Sequence, residues 1–239
     1  MELSIVIPAF DERNKVAGDV TSATDFLAAN SLTGQIIIVD DGSSDDTAEI
    51  ARTAEHGSAE LEVIRYEQNR GKGYAIKTGI AASTGDFVMF ADCGCCVPFE
   101  DALTGLKLLK TGEVDIAHGS RTHKESVICR PRNTYRKTVS KLFRIFTTLW
   151  LNIPPKLNDT QCGFKLYRGD IARKLYADCV TEGFMFDIEI ILRAGIAGYR
   201  IKEFPIRWAW DHDSRLSMIR HGKEILTELA TIRKTLHKK

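Results

Sequence analysis

Short apolar runs alternate with helical patterns through the first half of the chain. The runs are rich in isoleucine and valine and predict strands at Leu3–Pro8, Gln35–Asp40, Leu61–Tyr66, Asp86–Ala91 and Val114–His118. The segments between them predict helices near Lys15–Ala29, Asp46–Glu55, Gly73–Ser83 and Phe99–Thr111. Strands that alternate with helices predict an α/β fold with a Rossmann-like, mainly parallel central sheet and helices on both faces.

The second half of the chain has a less regular pattern. A basic helical stretch is predicted from about Arg132 to Trp150, followed by a helix near Phe186–Ala194 and a strand near Ile201–Trp208. The end of the chain, Leu216–His237, is amphipathic. No segment has the composition of a linker, and 239 residues suit one large core, so a single domain over residues 1–239 is expected.

Polar residues stand at the ends of three predicted strands. Pro8–Arg13 closes the first strand, Asp40–Ser44 the second and Asp92 the fourth. Open parallel sheets bind their ligands beyond the carboxyl ends of the strands. We therefore expect the binding site at this edge of the sheet.

Two adjacent carboxylates, Asp40 and Asp41, are followed by Gly42 and Ser43. One interpretation of this motif is a capped turn between a strand and a helix. The other is functional: Asp40 or Asp41 accepts hydrogen bonds from a nucleobase imide or from ribose hydroxyls. The motif alone favours neither.

Gly71, Lys72 and Gly73 precede the third predicted helix. The two glycines let the backbone approach a ligand closely, and the lysine suits a diphosphate. The spacing of a P-loop is missing, so this is not a nucleotide-triphosphate motif of that kind. A plain loop before a helix is the alternative.

Asp92 ends a very apolar strand and is followed by three cysteines. A carboxylate in this place either caps the next helix or ligates a divalent cation through oxygen. Cys93, Cys95 and Cys96 lack a second cluster at the spacing of a zinc site, so small buried filler is their predicted role.

Charge is balanced over the whole chain but not locally. Thirty-three basic and 32 acidic residues give a net charge of +1, which offers no electrostatic case for a nucleic-acid partner. From Arg121 to Arg144, however, eight cations stand against Glu125 alone. Because guanidinium groups bind phosphates through paired hydrogen bonds, we expect this run to meet an anion. A solvated helix face is the alternative.

Three features bear on the cellular location. The six cysteines lack the spacing of a disulfide scaffold, the first ten residues lack the regions of a signal peptide, and no apolar run is long enough to span a bilayer. A cytoplasmic, reducing location is expected. Arg132–Trp150 interleaves cations with apolar residues, as segments at anionic lipid surfaces do. Two interpretations of this stretch remain. It contacts the cytoplasmic membrane face peripherally, or it packs on the core of the domain.

Several blocks, taken together, resemble the family-2 glycosyltransferases of the GT-A fold. These blocks are Ser4–Glu12, Val39–Ser43, Asn69–Gly73, Gly119–Arg121, Asp159–Lys165, Phe186–Glu189 and Pro205–Trp208. They are most similar to the branch of dolichyl-phosphate glucosyltransferases and dolichyl-phosphate mannose synthases. The resemblance covers nearly the whole chain and implies a nucleotide-binding half over about 1–118 and an acceptor-binding half over about 119–239.

The resemblance also implies roles for individual residues. Those of the nucleotide-sugar pocket are Pro8, Ala9, Glu12, Asp40, Lys72 and Asp92. Those that bind donor and acceptor phosphates are Arg121, Arg132, Arg136 and Ser140. Asp92 and Asp159 are implied as catalytic, Asp159 near the reacting centre where an inverting mechanism places a base. A lipid-phosphate acceptor is already anionic, in which case Asp159 orients substrate instead.

One block departs from the family pattern. Its members usually carry Asp-x-Asp after the fourth strand and hold Mg²⁺ or Mn²⁺ with both carboxylates, whereas this chain reads Asp92-Cys93-Gly94. Three accounts remain, in this order. The metal is held by Asp92 with the diphosphate and water, or the basic run replaces it, or catalysis is weakened.

The function predicted from the sequence is inverting transfer of a hexose from a UDP-glucose or GDP-mannose type of donor to a polyprenyl or dolichyl phosphate. A transferase with a polysaccharide or other soluble acceptor is one alternative. A catalytically weakened protein that binds a nucleotide sugar or a lipid phosphate is the other. The sequence does not identify the sugar or the oligomeric state.

Overall fold

A computed structural model gives the fold of the chain and describes residues 1–130, 134–151, 153, 157–210 and 222–236. Its strands are β1 (Leu3–Ala9), β2 (Gly34–Asp40), β3 (Glu60–Arg65), β4 (Phe87–Ala91), β5 (Ile116–Ser120), β6 (Val127–Arg130), β7 (Phe164–Arg168), β8 (Ile201–Pro205) and β9 (Arg207–Ala209). Seven of them form a sheet in the order β3-β2-β1-β4-β7-β5-β8, and β6 pairs with β9.

The five strands predicted in the first half are present. The fifth differs most, because it begins at Ile116 rather than Val114. Asp115, just before it, accepts hydrogen bonds from the Arg200 guanidinium at 3.0 and 3.1 Å through its carboxylate. All sheet neighbours run parallel except β7, which is antiparallel to β4 and to β5. The prediction of a mainly parallel sheet is confirmed.

The antiparallel strand β7 was not predicted from the sequence. Its first four residues are buried, and they include Lys165, which is only 1% exposed. A lysine within a buried strand interrupts the apolar run by which strands are recognised. Helix α6 (Gly169–Ala177), which follows β7 directly, was not predicted from the sequence either.

Helices cover both faces of the sheet, as predicted. They are α1 (Val16–Ala29), α2 (Thr47–Thr53), α3 (Lys72–Ala82), α4 (Ala102–Lys110), α5 (Thr134–Leu151), α6 (Gly169–Ala177), α7 (Phe186–Ile196) and α8 (Gly222–Leu236). Alternate residues of β1 enter opposite cores, as the period of a strand requires. Ile5 and Ile7 pack with α1 and α4, whereas Val6 packs with α3, α6 and α7.

The predicted strand Ile201–Trp208 is divided in two. Pro205 ends β8, since proline has no N–H to donate to a neighbouring strand. Ile206 then donates its N–H to Ser126 Oγ at 3.1 Å and accepts the N–H of Val127 at 3.0 Å. These two bonds turn the chain into β9 and the small second sheet. Of the predicted amphipathic end, α8 is described and residues 211–221 lie outside the described part.

Strand register places the site. Ala9 pairs with Asp40, so the carboxyl ends of β1 and β2 are level, and β4 lies on the other side of β1. Because β7 is antiparallel, its first residue, Phe164, pairs with Ala91 at the carboxyl end of β4. The loops that follow β1, β2, β4 and β5 therefore meet the loop that precedes β7 at one edge.

Candidate active site

Asp40 ends β2 next to the end of β1 and is completely buried. Its Oδ1 accepts the backbone N–H of Ser43 at 2.9 Å. Its Oδ2 lies 3.5 Å from Arg65 Nε and accepts no hydrogen bond from the described residues. A buried carboxylate oxygen is costly unless a ligand or water donates to it. Asp40 is therefore well suited to accept a hydrogen bond from a nucleobase or a ribose.

Asp41, the other carboxylate of this turn, accepts hydrogen bonds from the loop that contains Gly71. Oδ1 accepts the N–H of Arg70 at 2.8 Å and Oδ2 accepts the N–H of Gly71 at 2.9 Å. Gly71 has φ +102°, and a Cβ there would lie 2.7 Å from the Glu182 carbonyl oxygen, so only glycine fits. Of the two carboxylates that the sequence left open, Asp41 shapes the loop and Asp40 keeps an oxygen for a ligand.

Pro8, Ala9 and Glu12 lie at the same edge of the sheet, at or just after the carboxyl end of β1. The Ala9 carbonyl accepts the N–H of Asp41 at 2.8 Å, which joins the end of β1 to the turn after β2. The N–H of Glu12 donates to Thr47 Oγ1 at 2.8 Å. The structure therefore brings the predicted pocket residues Pro8, Ala9, Glu12 and Asp40 together.

Lys72 and Asp92 form an ion pair across the site. Lys72 is the first residue of α3, and Asp92 is the first residue after β4. Burial alone would lower the pKa of the Lys72 ammonium, but the carboxylates of Asp92 and Asp187 raise it above its usual value. Lys72 therefore carries a positive charge at the point where Asp92 faces the site.

Gly163, which the sequence gave no reason to single out, makes room for Asp92. A Cβ at this position would lie 2.1 Å from both carboxylate oxygens of Asp92. The backbone is close as well, because the Asp92 N–H donates to the Gly163 carbonyl at 2.8 Å. The glycine of the Asp159–Lys165 block thus sets the position of the Asp92 carboxylate.

Arg121 and Asp159 form a bidentate pair. Nε of Arg121 donates to Asp159 Oδ2 at 2.6 Å, Nη2 donates to Oδ1 at 2.6 Å, and the Arg121 backbone N–H adds a bond to Oδ2 at 2.9 Å. Burial would raise the pKa of the Asp159 carboxyl, yet Arg121 lowers it below its usual value. Both oxygens of Asp159 are engaged, which makes this carboxylate an anchor for Arg121.

Lys165 and Asp187 form another buried pair, from β7 and the first turn of α7. Lys165 Nζ also donates to the Thr160 carbonyl at 3.1 Å. Burial raises the pKa of Asp187 above its usual value, although Lys165 and Lys72 act in the opposite direction. The sequence placed both residues in family-like blocks but gave them no role, because a pair 22 residues apart leaves no local pattern.

The loop after β4 is wrapped around Asp19 of α1, a carboxylate only 1% exposed. Asp19 accepts the N–H groups of Gly94 at 2.8 Å and Cys95 at 2.9 Å, and the thiols of Cys93 at 2.9 Å and Cys95 at 3.1 Å. Burial and the Asp19 charge raise the pKa of Cys95 to about 12 and that of Cys93 well above its usual value. The prediction that these thiols are buried filler is wrong. Cys95 is exposed, and Cys93 and Cys96 are half-buried.

The residues of this loop do not form a metal site on their own. Mg²⁺ and Mn²⁺ prefer oxygen ligands, and Asp92 is the only carboxylate between residues 92 and 96. The thiols of Cys93 and Cys95 are held in their protonated form by Asp19. Across the described ranges, no group of three or more histidine, cysteine, aspartate or glutamate side chains is arranged to hold a metal ion.

The predicted phosphate-binding run is only partly visible. Arg132 lies outside the described residues, and the side chains of Arg136 and Ser140, both on α5, are likewise not described. Arg144 donates through Nη1 to the Asn158 carbonyl at 2.8 Å. Arg121 pairs with Asp159, and Lys124 lies 3.8 Å from Glu125, so three of the described cations of the run contact groups of the protein itself.

Helix α5 exposes an apolar stripe. Its members stand three or four residues apart and are 43–75% exposed: Leu142, Ile145, Phe146 and Leu149. Buried residues such as Leu151 and Thr147 lie on the opposite face. In the part of the chain that is described, no helix combines the length and apolar character needed to cross a bilayer.

Comparison with known proteins gives consistent matches. Residues 4–176 match the profile of Glycosyl transferase family 2. The chain is 31% identical over 229 residues to the dolichyl-phosphate beta-glucosyltransferase of Drosophila melanogaster, covering 91% of this chain and 70% of that protein. It is 30% identical over 241 residues to the human protein of the same name, covering 94% of this chain and 74% of that protein.

Solved structures share the architecture. Mannosyl-3-phosphoglycerate synthase from Rubrobacter xylanophilus superposes with a TM-score of 0.72 at 18% identity, over 100% of this chain and 76% of that one. Glucosyl-3-phosphoglycerate synthase from Mycobacterium tuberculosis, solved with Mg²⁺ and UDP, gives a TM-score of 0.69 at 18% identity, over 97% and 79%. The fold is therefore GT-A, as the sequence predicted.

Proposed function

We propose that this chain, which belongs to Glycosyl transferase family 2, transfers glucose from UDP-glucose to a polyprenyl phosphate of the dolichyl type, with inversion at the anomeric carbon. The observation that carries the proposal is the cluster of Lys72, Asp92, Arg121 and Asp159 at the carboxyl edge of the sheet. Similarity to dolichyl-phosphate beta-glucosyltransferases over at least nine-tenths of the chain supports glucose and a lipid phosphate.

The donor nucleoside is proposed to bind at the ends of β1 and β2. Asp40 Oδ2 is the buried acceptor there, next to the backbone of Pro8 and Ala9. Uracil presents an imide N–H and ribose presents hydroxyls, and either would satisfy this oxygen. A guanine base also presents an N–H, so GDP-mannose is the competing donor in the experiment below.

The charged residues account for the chemistry. The bond between the anomeric carbon and the diphosphate oxygen breaks as an acceptor phosphate oxygen bonds to that carbon from the opposite face, and UDP leaves. Negative charge grows on the diphosphate, and fixed cations stabilise it in a site that does not need to reorganise. Lys72 and Arg121 supply these cations. Burial acts to lower both pKa values, but Asp92 raises the pKa of Lys72 and Asp159 raises that of Arg121.

Asp159 is proposed to position Arg121 rather than to accept a proton. A phosphate acceptor is ionised at neutral pH, so the attacking oxygen carries no proton for a base to remove. Asp159 is also unsuited to that task, since both of its oxygens accept hydrogen bonds from Arg121.

A divalent cation is proposed only as an accessory of the donor. Mg²⁺ and UDP are bound together in the structure of glucosyl-3-phosphoglycerate synthase. In this chain Asp92 is the only carboxylate on the corresponding loop, so a cation would depend on the diphosphate for its remaining contacts. We expect weaker metal dependence than two carboxylates would give.

The exposed stripe of α5 is proposed to rest on the membrane surface that holds the acceptor. The same helix carries cations at Arg136, Lys137 and Lys141 in the sequence. Apolar residues with neighbouring cations favour an anionic lipid surface.

A panel of donors and acceptors tests the proposal. The purified chain is incubated with UDP-glucose or GDP-mannose and with a short polyprenyl phosphate or 3-phosphoglycerate, each in Mg²⁺, Mn²⁺ and EDTA. We expect glucosyl phosphoprenol from UDP-glucose, with a β-anomeric coupling constant by NMR. Donor binding without transfer under every condition would instead favour a catalytically weakened binding protein. The missing carboxylate at Gly94 supports that alternative.

A further inference from the structure

The segment that carries Asp159 lies over three side chains from adjacent strands. His118 of β5 is the register partner of Lys165 on β7 and of Glu203 on β8. Register partners on neighbouring strands point to the same face of a sheet. Lys165, His118 and Glu203 therefore form a row across the sheet, which we call the platform row.

The two ends of the platform row hold consecutive residues of the segment before β7. Glu203 Oε1 accepts the backbone N–H of Asn158 at 2.8 Å and that of Asp159 at 2.6 Å. Lys165 Nζ donates to the Thr160 carbonyl at 3.1 Å. The Glu203 carboxylate at one end accepts N–H groups, and the Lys165 ammonium at the other end donates to a carbonyl. Each side chain thus complements the backbone group that lies above it.

Fixing this backbone matters because of what Asp159 does with its side chain. Asp159 is 6% exposed and meets Arg121 through two bonds of 2.6 Å, a geometry that tolerates little displacement. Neither Asn158 nor Asp159 belongs to a strand or a helix. Their N–H groups therefore have no ladder partner, and Glu203 takes that place.

We propose that Glu203 is a positioning residue for the Arg121–Asp159 pair. It accepts the two N–H groups through one oxygen and so holds Asp159 where its carboxylate meets Arg121, the first residue after β5. It acts on the reaction only through this pair, and that part of the inference rests on the proposed glucosyl transfer. Nothing in this role requires Glu203 to exchange a proton.

Two substitutions separate positioning from other roles of Glu203. Glu203→Ala removes the acceptor. Glu203→Gln keeps a carbonyl oxygen for both N–H groups at roughly half the strength of a charged acceptor. Glu113→Ala is the matched control, because Glu113 is an exposed glutamate that pairs with Lys202, next to Glu203 on β8.

The first readout does not depend on the reaction. In ¹H–¹⁵N spectra the Nε–H of Arg121, assigned with Arg121→Lys, reports the paired guanidinium, and amide exchange reports Asn158 and Asp159. For Glu203→Ala we expect exchange of both amides to accelerate at least about tenfold and the Arg121 Nε–H signal to shift or vanish, since each amide loses a hydrogen bond to a charged acceptor. Glu203→Gln and Glu113→Ala are expected to keep the signal.

The second readout is transfer. We expect kcat of Glu203→Ala to fall by about 100-fold, the effect of displacing a catalytic group by about 1 Å. UDP affinity, which depends on the Asp40 end of the site, should stay within about threefold, as should kcat of Glu203→Gln. An unchanged Arg121 signal in Glu203→Ala overturns the inference, as does a Gln variant as slow as the Ala variant. A wild-type chain that transfers no sugar while the signal still responds would reject the proposed function and leave the positioning role standing.

Discussion

The two ends of the site are built from different chemistry. At the nucleotide end, beyond β1 and β2, three of the four carboxylate oxygens of Asp40 and Asp41 accept backbone N–H groups, and the fourth, Asp40 Oδ2, lies 3.5 Å from Arg65 Nε. At the transfer end, beyond β4, β5 and β7, carboxylates meet side-chain cations: Lys72 with Asp92, Arg121 with Asp159 and Lys165 with Asp187.

This difference has a consequence for function. Backbone donors are neutral and fixed by the fold, so they shape a pocket for a ligand whose charge lies elsewhere. Ion pairs place full charges in a partly buried site, where they act strongly on a leaving diphosphate. Changes at the nucleotide end should therefore alter donor affinity, and changes at the transfer end should alter turnover.

The largest effect is expected for Arg121→Ala. Asp159 would remain buried without its cation and would keep only the bond from the backbone N–H of residue 121, so the free energy of unfolding should fall by about 3–5 kcal/mol, measured by chemical denaturation. The double variant Arg121→Met, Asp159→Leu is the control, because removing both charges should recover most of this loss while transfer stays abolished. Full recovery of transfer in the double variant would contradict the role of the transfer end.

Gly163→Ala should reduce turnover by about 100-fold, because the new methyl group would displace the Asp92 carboxylate. Gly195→Ala, on α7 with no atom within 4 Å of the added Cβ, is the matched control and should leave kcat unchanged. The readout is steady-state transfer beside calorimetric UDP binding. If UDP affinity fell while kcat stayed the same, Asp92 would control donor affinity rather than turnover, and it would not belong to the transfer end.

Asp41→Ala probes the nucleotide end. It removes the acceptor for the N–H groups of Arg70 and Gly71 and should loosen the loop before Lys72. We expect UDP to bind about tenfold more weakly, about 1.4 kcal/mol, with kcat at saturating donor changed far less. A fall in kcat with unchanged UDP affinity would contradict the assignment of donor affinity to the nucleotide end.

The last prediction concerns the pH dependence of stability rather than the reaction. Burial first, and then the Lys165 charge, lowers the pKa of His118 well below its usual value, and the ring also faces Tyr167 and its register partner Glu203. The folded chain keeps this imidazole neutral, while the unfolded chain protonates it below a pH of about 6.5. Above that pH, His118 does not change the free energy of unfolding. Below it, the free energy of unfolding should fall by up to about 1.4 kcal/mol per pH unit. His118→Asn should flatten this slope between about pH 6.5 and 5; an unchanged slope would show that His118 is not its source.

The sequence revealed the strand ends but not the contacts between them. Asp40, Lys72 and Asp92 were identifiable because each stands at a boundary between an apolar run and a glycine or helix signal. Gly163 and Asp187 were not assigned roles, since what they do depends on residues brought close by β7. The sequence did not predict β7, because a lysine, Lys165, stands within its apolar run. Lys165 is buried there because it pairs with the carboxylate of Asp187, a contact that no local sequence pattern shows.

The cysteine loop illustrates the same limit. From the sequence, Cys93, Cys95 and Cys96 offered thiols without a second metal-binding cluster, and burial was the simplest expectation. The carboxylate that organises the loop is Asp19, which precedes Cys93 by 74 residues. Only the packing of α1 against the loop after β4 brings them together.

The most direct test of the proposed transfer measures glucosyl phosphoprenol formed from labelled UDP-glucose by the wild-type chain and by Arg121→Lys, with UDP affinity determined on the same samples. Lysine keeps the charge but cannot form the bidentate pair with Asp159. We predict lipid-linked glucose from the wild type, at least about tenfold less from the variant, and UDP affinities within about threefold of each other. A wild type that binds UDP-glucose but forms no glucosyl lipid, or a variant that transfers at the wild-type rate, would contradict it.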